Sequence, residues 1–282
     1  MTATAAPEAL ELPDLLPHLL LKNGNLLYKV PFRGGWACLK VYYGSRSLPE
    51  TLAKSFGNLF EDQTSYMPLT RRRIELECLE LWRARGIRVF DVYRDVVVRA
   101  PAHQCPPGGY LLLEYVEAPK LDDHMRDEAI PVDERFRTYR RWLVDWCRRH
   151  DLAEAERETR LVHENGDTGH VMLVGDEFLW FDFEMVFKSR DRVHEYVGRE
   201  IVQYLWYILR NTPLAMHERV VEELVLAYPD RHRLERAPSV FLENPRRLMR
   251  WARQLDQLKP RSRKPTSKYN VCRRLAAALE RL

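Results

Sequence analysis

The sequence predicts an α+β protein in which a small antiparallel sheet with one main helix precedes a mainly helical half. Three observations predict it. Short apolar runs broken by glycine turns crowd the start of the chain, with Asn23-Gly24-Asn25 between Leu19–Lys22 and Leu26–Phe32. An Asn-Gly pair so placed signals a hairpin, because both turn positions want positive φ. One strongly helical stretch, 71–82, follows, and beyond Pro119 the apolar residues recur at helical spacing.

The 282 residues suffice for one two-part enzyme or two small domains. Five scattered cysteines without a C-x-x-C argue for a reducing compartment rather than a disulfide framework. No apolar run has the length that spans a bilayer, and no Lys or Arg precedes Lys22 as a signal peptide would require, so a cytoplasmic protein is expected. The net charge of +4 is uneven. Residues 246–282 hold twelve Lys/Arg against Asp256 and Glu280, so a basic tail follows a mildly acidic body. Such a tail suggests an anionic partner.

Taken in order, residues 1–13 read as a loose Ala-, Glu- and Pro-rich tail. Leu19–Lys22 and Leu26–Phe32 form the hairpin, Arg33-Gly34-Gly35 a second turn, and Trp36–Tyr43 a third strand. Within that strand Cys38 and Lys40 share one face and Leu39 and Val41 the other. A lone Lys in an apolar strand needs an anionic partner, because an unpaired buried charge is costly; the alternative is an edge-strand Lys snorkelling to water. A short helix is expected near 52–60. In the helix 71–82, ended by Gly86, Leu79 and Trp82 share the face of Glu75, so that face is buried and Glu75 lies at its edge; the alternative is that Glu75 and Glu77 are both solvated helix charges. Val89–Tyr93, Val96–Val98 and Tyr110–Glu117 read as strands. The helices expected next are Leu121–Met125, Asp133–His150, Glu195–Arg210, Met216–Tyr228 and Val271–Leu282.

The stretch Leu161–Phe187 reads as a short strand, a polar turn, the strand Val171–Val174 and a second strand ending in Phe181-Asp182-Phe183-Glu184. A carboxylate flanked by aromatics points to a metal or a buried ion pair.

In this order the Lys40 strand, the Glu75 helix, the Tyr110–Glu117 strand and the His163–Glu184 segment resemble the protein-kinase-like superfamily. The resemblance is to its bacterial branch of lipopolysaccharide-core sugar kinases (Kdo and heptose kinases) and aminoglycoside phosphotransferases, and it runs from Leu19 to Arg210. It implies a bilobed fold with an N-lobe at 14–117, a C-lobe at 118–245 and a basic helical extension at 246–282. It implies ATP and Mg²⁺, with Mn²⁺ as an alternative, and a hydroxyl acceptor on a sugar or glycolipid. Lys40 would hold the phosphates, Glu75, with Glu77 second, would hold Lys40, and the turn at Gly24 would lie over the phosphates. Cys38 and Leu113 would line the adenine pocket, Glu114 and Val116 would offer backbone groups to it, and Asp182 would bind the metal.

The loop departs from the family's His-Gly-Asp-x4-Asn. Matching His163, which stabilises the loop, puts Asn165 in the Asp slot and His170 in the metal-binding Asn slot. Asn cannot accept a proton and imidazole is a poor Mg²⁺ ligand. Asp167, or Glu164, then becomes the expected acceptor-orienting group, while a turn-forming role for Asp167 stays open, and His170 would favour Mn²⁺. A pseudokinase that binds nucleotide or a partner without transfer is the second reading. The tail would meet an anionic glycolipid or membrane surface at the inner face of the membrane. No recognised nucleic-acid motif is present, so nucleic-acid binding through 246–282 is the third reading and not the expected one.

Overall fold

The computed structural model describes residues 8–243 and 247–282. The chain forms two compact units. The first comprises the chain up to Glu117 together with Phe181–Met185, and the second Ala118–Trp180 with Val186–Leu282. The fold class is α+β.

In the first unit β1 (Glu8–Glu11), β2 (Leu19–Lys22), β3 (Leu26–Phe32) and β4 (Gly35–Val41) precede α1 (Leu48–Phe60) and α2 (Pro68–Ala84). β5 (Val96–Arg99) and β6 (Tyr110–Glu114) follow. The main sheet is antiparallel in the order β2-β3-β4-β6, and β1 pairs in parallel with β5 in a separate ribbon. Gly24 (φ 74°) turns the β2–β3 hairpin, and Arg33 (φ 47°) with Gly34 (φ 76°) turns the next. Left-handed backbone at both central residues matches the twist of the flanking strands. Arg33 is held there by ion pairs to Glu8 (2.6 Å) and Asp95 (2.7 Å).

Alternation along β4 sends Ala37, Leu39 and Val41 into a core with Tyr28, Val30 and Leu112. Leu12 and Leu15 complete that core. The stretch 8–13 is therefore not a loose tail: its backbone pairs with β5 and its apolar residues cover the sheet. Residues 1–7 of the expected tail, and the boundary expected at 245/246, lie outside the described residues. Val89–Tyr93 is not a strand; it touches β6 through one bridge, Val92 to Leu113. β6 ends at Glu114 rather than running on to Glu117.

The second unit begins with α3 (Leu121–Arg126) and α4 (Val132–Ala155), then β7 (Val171–Val174) and β8 (Glu177–Trp180). α5 (Val193–Asn211), α6 (His217–Ala227), α7 (Arg231–Glu243), α8 (Arg247–Gln257) and α9 (Lys268–Arg281) complete it. β7 and β8 form a two-stranded antiparallel hairpin. The strand expected at Leu161 is instead a 3-10 turn, Thr159–Leu161, and a second such turn, Thr168–His170, leads into β7.

On α4, Phe136, Tyr139, Leu143, Trp146 and His150 are buried on one stripe, as are Val197, Ile201, Tyr204, Leu205 and Ile208 on α5. Gly198 admits α7: a side chain there would meet Ala237 and Val240 at 3.4 Å. α7 and α8 have no counterpart among the expected helices.

A buried carboxylate fastens this unit. Glu200 accepts from Trp146 Nε1 (2.9 Å), Arg149 Nη1 (3.2 Å) and the backbone N–H of His163 (2.8 Å), and lies 3.5 Å from His150 Nε2. Arg149 also donates to the carbonyl of Leu161 at 2.6 Å. Burial alone would raise the Glu200 pKa, but Arg149 and His150 outweigh it and hold the carboxyl well below the usual carboxylate range. Removing one partner of such a cluster strands the other charge. Glu200→Ala should therefore cost the second unit about 3–5 kcal/mol, read from denaturant unfolding followed by the fluorescence of its buried tryptophans.

Candidate functional site

α2 starts at Pro68, whose fixed φ suits a first helical position. Its buried stripe is Arg71, Ile74, Glu75, Cys78, Leu79 and Trp82. Two of those six are charged, which only partners can make tolerable. β4 supplies one: Lys40, 6% exposed, lies 2.7 Å from Glu75 Oε2 and 2.9 Å from Oε1. Tyr42 donates to Glu75 Oε2 at 2.5 Å.

The segment Phe181–Met185 supplies the rest. Phe181 packs on Phe90 and Phe183 on Trp82, with ring centroids 5.6 and 4.3 Å apart. Between these anchors Asp182 has φ 73°, the left-handed region. A non-glycine residue there is uncommon and strained. Asp182 Oδ1 lies 3.2 Å and Glu184 Oε1 2.8 Å from Lys40 Nζ. Glu184 also pairs with Arg71 (3.3 Å) and accepts from Asn25 Nδ2. Arg71 in turn donates to the carbonyl of Gly24 at 2.9 and 3.1 Å, which ties the hairpin turn to the cluster.

The structure thus brings together Lys40, Glu75 and Asp182, with Gly24 joined through Arg71. It adds Glu184, Arg71, Asn25 and Tyr42. Glu77 is not in the group; it pairs with Arg73 at 3.2 Å. Burial opposes the charge on Lys40, but Glu184 and Glu75 outweigh it and raise its pKa well above the ordinary value. Glu75 shows the reverse balance: burial first, then the like charges of Glu184 and Asp182, exceed the pull of Lys40 and lift it to about 6.

Cys38 shares the Lys40 face of β4 and pairs with Leu113 across β6, and burial pushes its thiol up to about 11. Leu113 is buried. The Glu114 carboxylate pairs with Arg88 at 2.6 Å and its backbone N–H donates to Asp91. Val116 is half-buried just past the end of β6.

The loop residues belong to the second unit. His163 is 3% exposed, with Nδ1 2.7 Å from the Tyr204 hydroxyl. It holds the loop to α5 and is not presented for chemistry. Asn165 is exposed. Gly166 packs so closely that an added Cβ would overlap the Tyr204 ring. Asp167 caps the 3-10 turn, accepting from the Gly169 N–H at 2.8 Å. The His170 ring centroid is 5.7 Å from that of His163.

Asp122, which sequence reasoning missed, turns its carboxylate to the same glycine: a Cβ on Gly169 would lie 3.3 Å from Asp167 Oδ1 and 3.7 Å from Asp122 Oδ1. Burial, then Asp123 and Asp167, raise its pKa. Its one sequence signal was an acidic start to α3.

Among the described residues no group of three or more His, Cys, Asp or Glu is placed to hold a metal ion. Asp182 and Glu184 nevertheless offer two adjacent oxygen donors, which fits Mg²⁺, an ion that takes one or two carboxylates and completes its shell with phosphate oxygens and water.

No family model matches the chain, and no curated protein matches it. Among solved structures it is similar to WaaP in complex with acyl carrier protein, at 12% identity over 83% of this chain and 85% of that one, with TM-score 0.39. It is also similar to an apo pseudokinase, at 13% identity over 98% of both chains, with TM-score 0.41. At TM-scores this low, the chain's chemistry has to be read from its own residues.

Two outcomes follow from the geometry. The folded state takes up the Glu75 proton near pH 6, above the ordinary 4.5, so ionised Glu75 costs stability above that pH and the cost is relieved as pH falls through the interval. In thermal unfolding across this window, the wild type should gain on Glu75→Gln as the medium is acidified. Gly166→Ala should displace Tyr204 and lower stability by about 1–3 kcal/mol in denaturant titration.

Proposed function

We propose that the first unit holds a nucleotide triphosphate through Lys40, with a divalent cation at Asp182 and Glu184, in a phosphotransferase that acts on a hydroxyl acceptor. The observation that carries the reading is the ammonium of Lys40 held by Glu75 of α2 beside a left-handed, partly exposed Asp182.

Stability is a poor reason for such a cluster. Desolvating several charges offsets much of their mutual attraction, and apolar packing of the same volume is often as stable. Binding is a better one. Lys40 has three N–H donors, and three carboxylates share them at 2.7–3.2 Å. A phosphate oxygen reaching Lys40 must displace one. Glu75 is buried and shared with Tyr42, so Asp182, at 29% side-chain exposure, is the one to yield. A divalent cation held by Asp182 and Glu184 would offset the repulsion between that carboxylate and phosphate, so phosphate and metal would bind together.

A cation held by Asp182 and Glu184 would supply charge neutralisation to the phosphates. The chain supplies position: Glu75 fixes Lys40, and Arg71 fixes the Gly24 turn. On the resemblance of the sequence, the acceptor is a sugar or glycolipid hydroxyl, and Asp167 or Asn165 orients it.

A pseudokinase is the second reading, and one observation favours it. The Asp167 carboxylate already caps the Gly169 N–H, and Asn165 and His170 stand where the resembling family has Asp and Asn.

The test is thermal unfolding with ATP, with and without Mg²⁺ or Mn²⁺, followed by phosphate transfer to sugar and glycolipid acceptors. ATP should stabilise the protein only with metal present. Asp182→Asn keeps the shape and suits positive φ, so it should leave the unliganded melting temperature in place and abolish the metal-dependent shift. Lys40→Met removes a charged hydrogen bond and should weaken ATP about 10- to 100-fold. Metal-dependent binding without transfer assigns the pseudokinase; absence of any ATP effect rejects both readings.

A further inference from the structure

We propose that α8 and the basic turn after it form a docking surface for an anionic lipid bilayer. Trp251, Leu255 and Leu258 are 59%, 43% and 75% exposed. Their spacing, i, i+4 and i+7, puts them on one stripe. That stripe points away from the protein, because the opposite side is the docked one. There Arg253 lies over the Phe241 ring at 4.5 Å. The Tyr269 hydroxyl donates to the Arg253 carbonyl (3.1 Å) and to Asp256 (3.3 Å). Among its described side chains α8 is anchored through Arg253 and Asp256 and displays Trp251 and Leu255, the inverse of an ordinary surface helix.

Charge selects the occupant. Arg250, Lys259, Arg261, Arg263 and Lys264 are exposed around the stripe, and Asp256 is the one acid between residues 250 and 264. That acid is already shared by Lys259 (3.3 Å) and Arg261. A Trp and two Leu beside a cationic rim fit the boundary between acyl chains and anionic headgroups. Arg261 and Lys264 also border a cavity of about 450 Å³ walled by Trp206 and Phe241, a recess for a phosphate-bearing headgroup. No helix among the described residues is long and apolar enough to cross a membrane, so this surface lies on the bilayer rather than in it. It belongs wholly to the second unit and does not depend on the phosphate site.

The test is flotation of the full chain with phosphatidylcholine vesicles, alone or with about one-third phosphatidylglycerol. The protein should float with the anionic vesicles and be released by salt. Trp251→Ser with Leu255→Ser should weaken binding about tenfold or more without moving the melting temperature, since both residues are exposed. Arg263→Glu with Lys264→Glu should abolish the preference for anionic lipid. Failure to float, or equal binding to neutral vesicles, overturns the proposal. So does a self-association lost in the Trp251/Leu255 variant without vesicle binding, which would assign the stripe to a second copy. Salt-sensitive DNA binding that survives that variant, again without vesicle binding, would assign the charge to nucleic acid.

Discussion

The ammonium of Lys40, enclosed among Glu75, Asp182 and Glu184, is the interaction on which the first unit depends. It joins three segments far apart in sequence: β4, α2 and Phe181–Met185. Each carries apolar anchors that bring the charges into place. Leu39 and Val41 hold β4 in the core, Leu79 and Trp82 hold α2, and Phe183 lies on Trp82. Once packing has fixed the backbones, the buried charges of Lys40 and Glu75 have no water to turn to and must find one another. The strained φ of Asp182 follows, because its carboxylate must face Lys40 while Phe181 and Phe183 keep their own partners.

The second unit solves a different problem with the same ingredients. Glu200 closes the junction between α4, α5 and the His163 loop by accepting from an indole, a guanidinium and a backbone N–H. His163 is placed through that junction and through Tyr204, and Gly166 is small so that the Tyr204 ring can pass. The loop's shape is thus set from behind, by buried groups, while Asn165 is left at the surface. Asp167 caps its turn through Oδ1.

Much of the first unit was legible in sequence because its signals are local. A single Lys in an apolar strand and a Glu on a buried helical stripe each demand a partner, and each is the simplest answer to the other. Arg71 was hidden among three consecutive arginines; only its place on the stripe with Ile74 and Glu75 sets it apart. Asn25 reads as a turn residue, and its bond to Glu184 spans 159 positions. β1 escaped for the same reason, since its parallel partner lies far along the chain and leaves no local pattern. α7 was masked by Pro238, which ordinarily breaks a helix. The stripe of α8 was present in sequence, but the surrounding charge drew the reading to an anionic partner and away from a helix there. Asp122 had only the acidic start of α3 to mark it, because its burial comes from the folding of α3 and the Gly169 turn.

The two buried clusters differ in balance, and the difference separates structure from chemistry. Around Glu200 burial is complete, both carboxylate oxygens accept hydrogen bonds, and the carboxyl is held firmly ionised. Around Lys40 and Arg71 three carboxylates face two cations. The excess shows in Glu75, whose pKa rises although it touches a cation. Surplus negative charge, one partly exposed carboxylate and a lysine behind it set this cluster apart from the one at Glu200. Under the proposed function a divalent cation would be held by Asp182, offsetting the surplus negative charge, and phosphate oxygens would be held by Lys40.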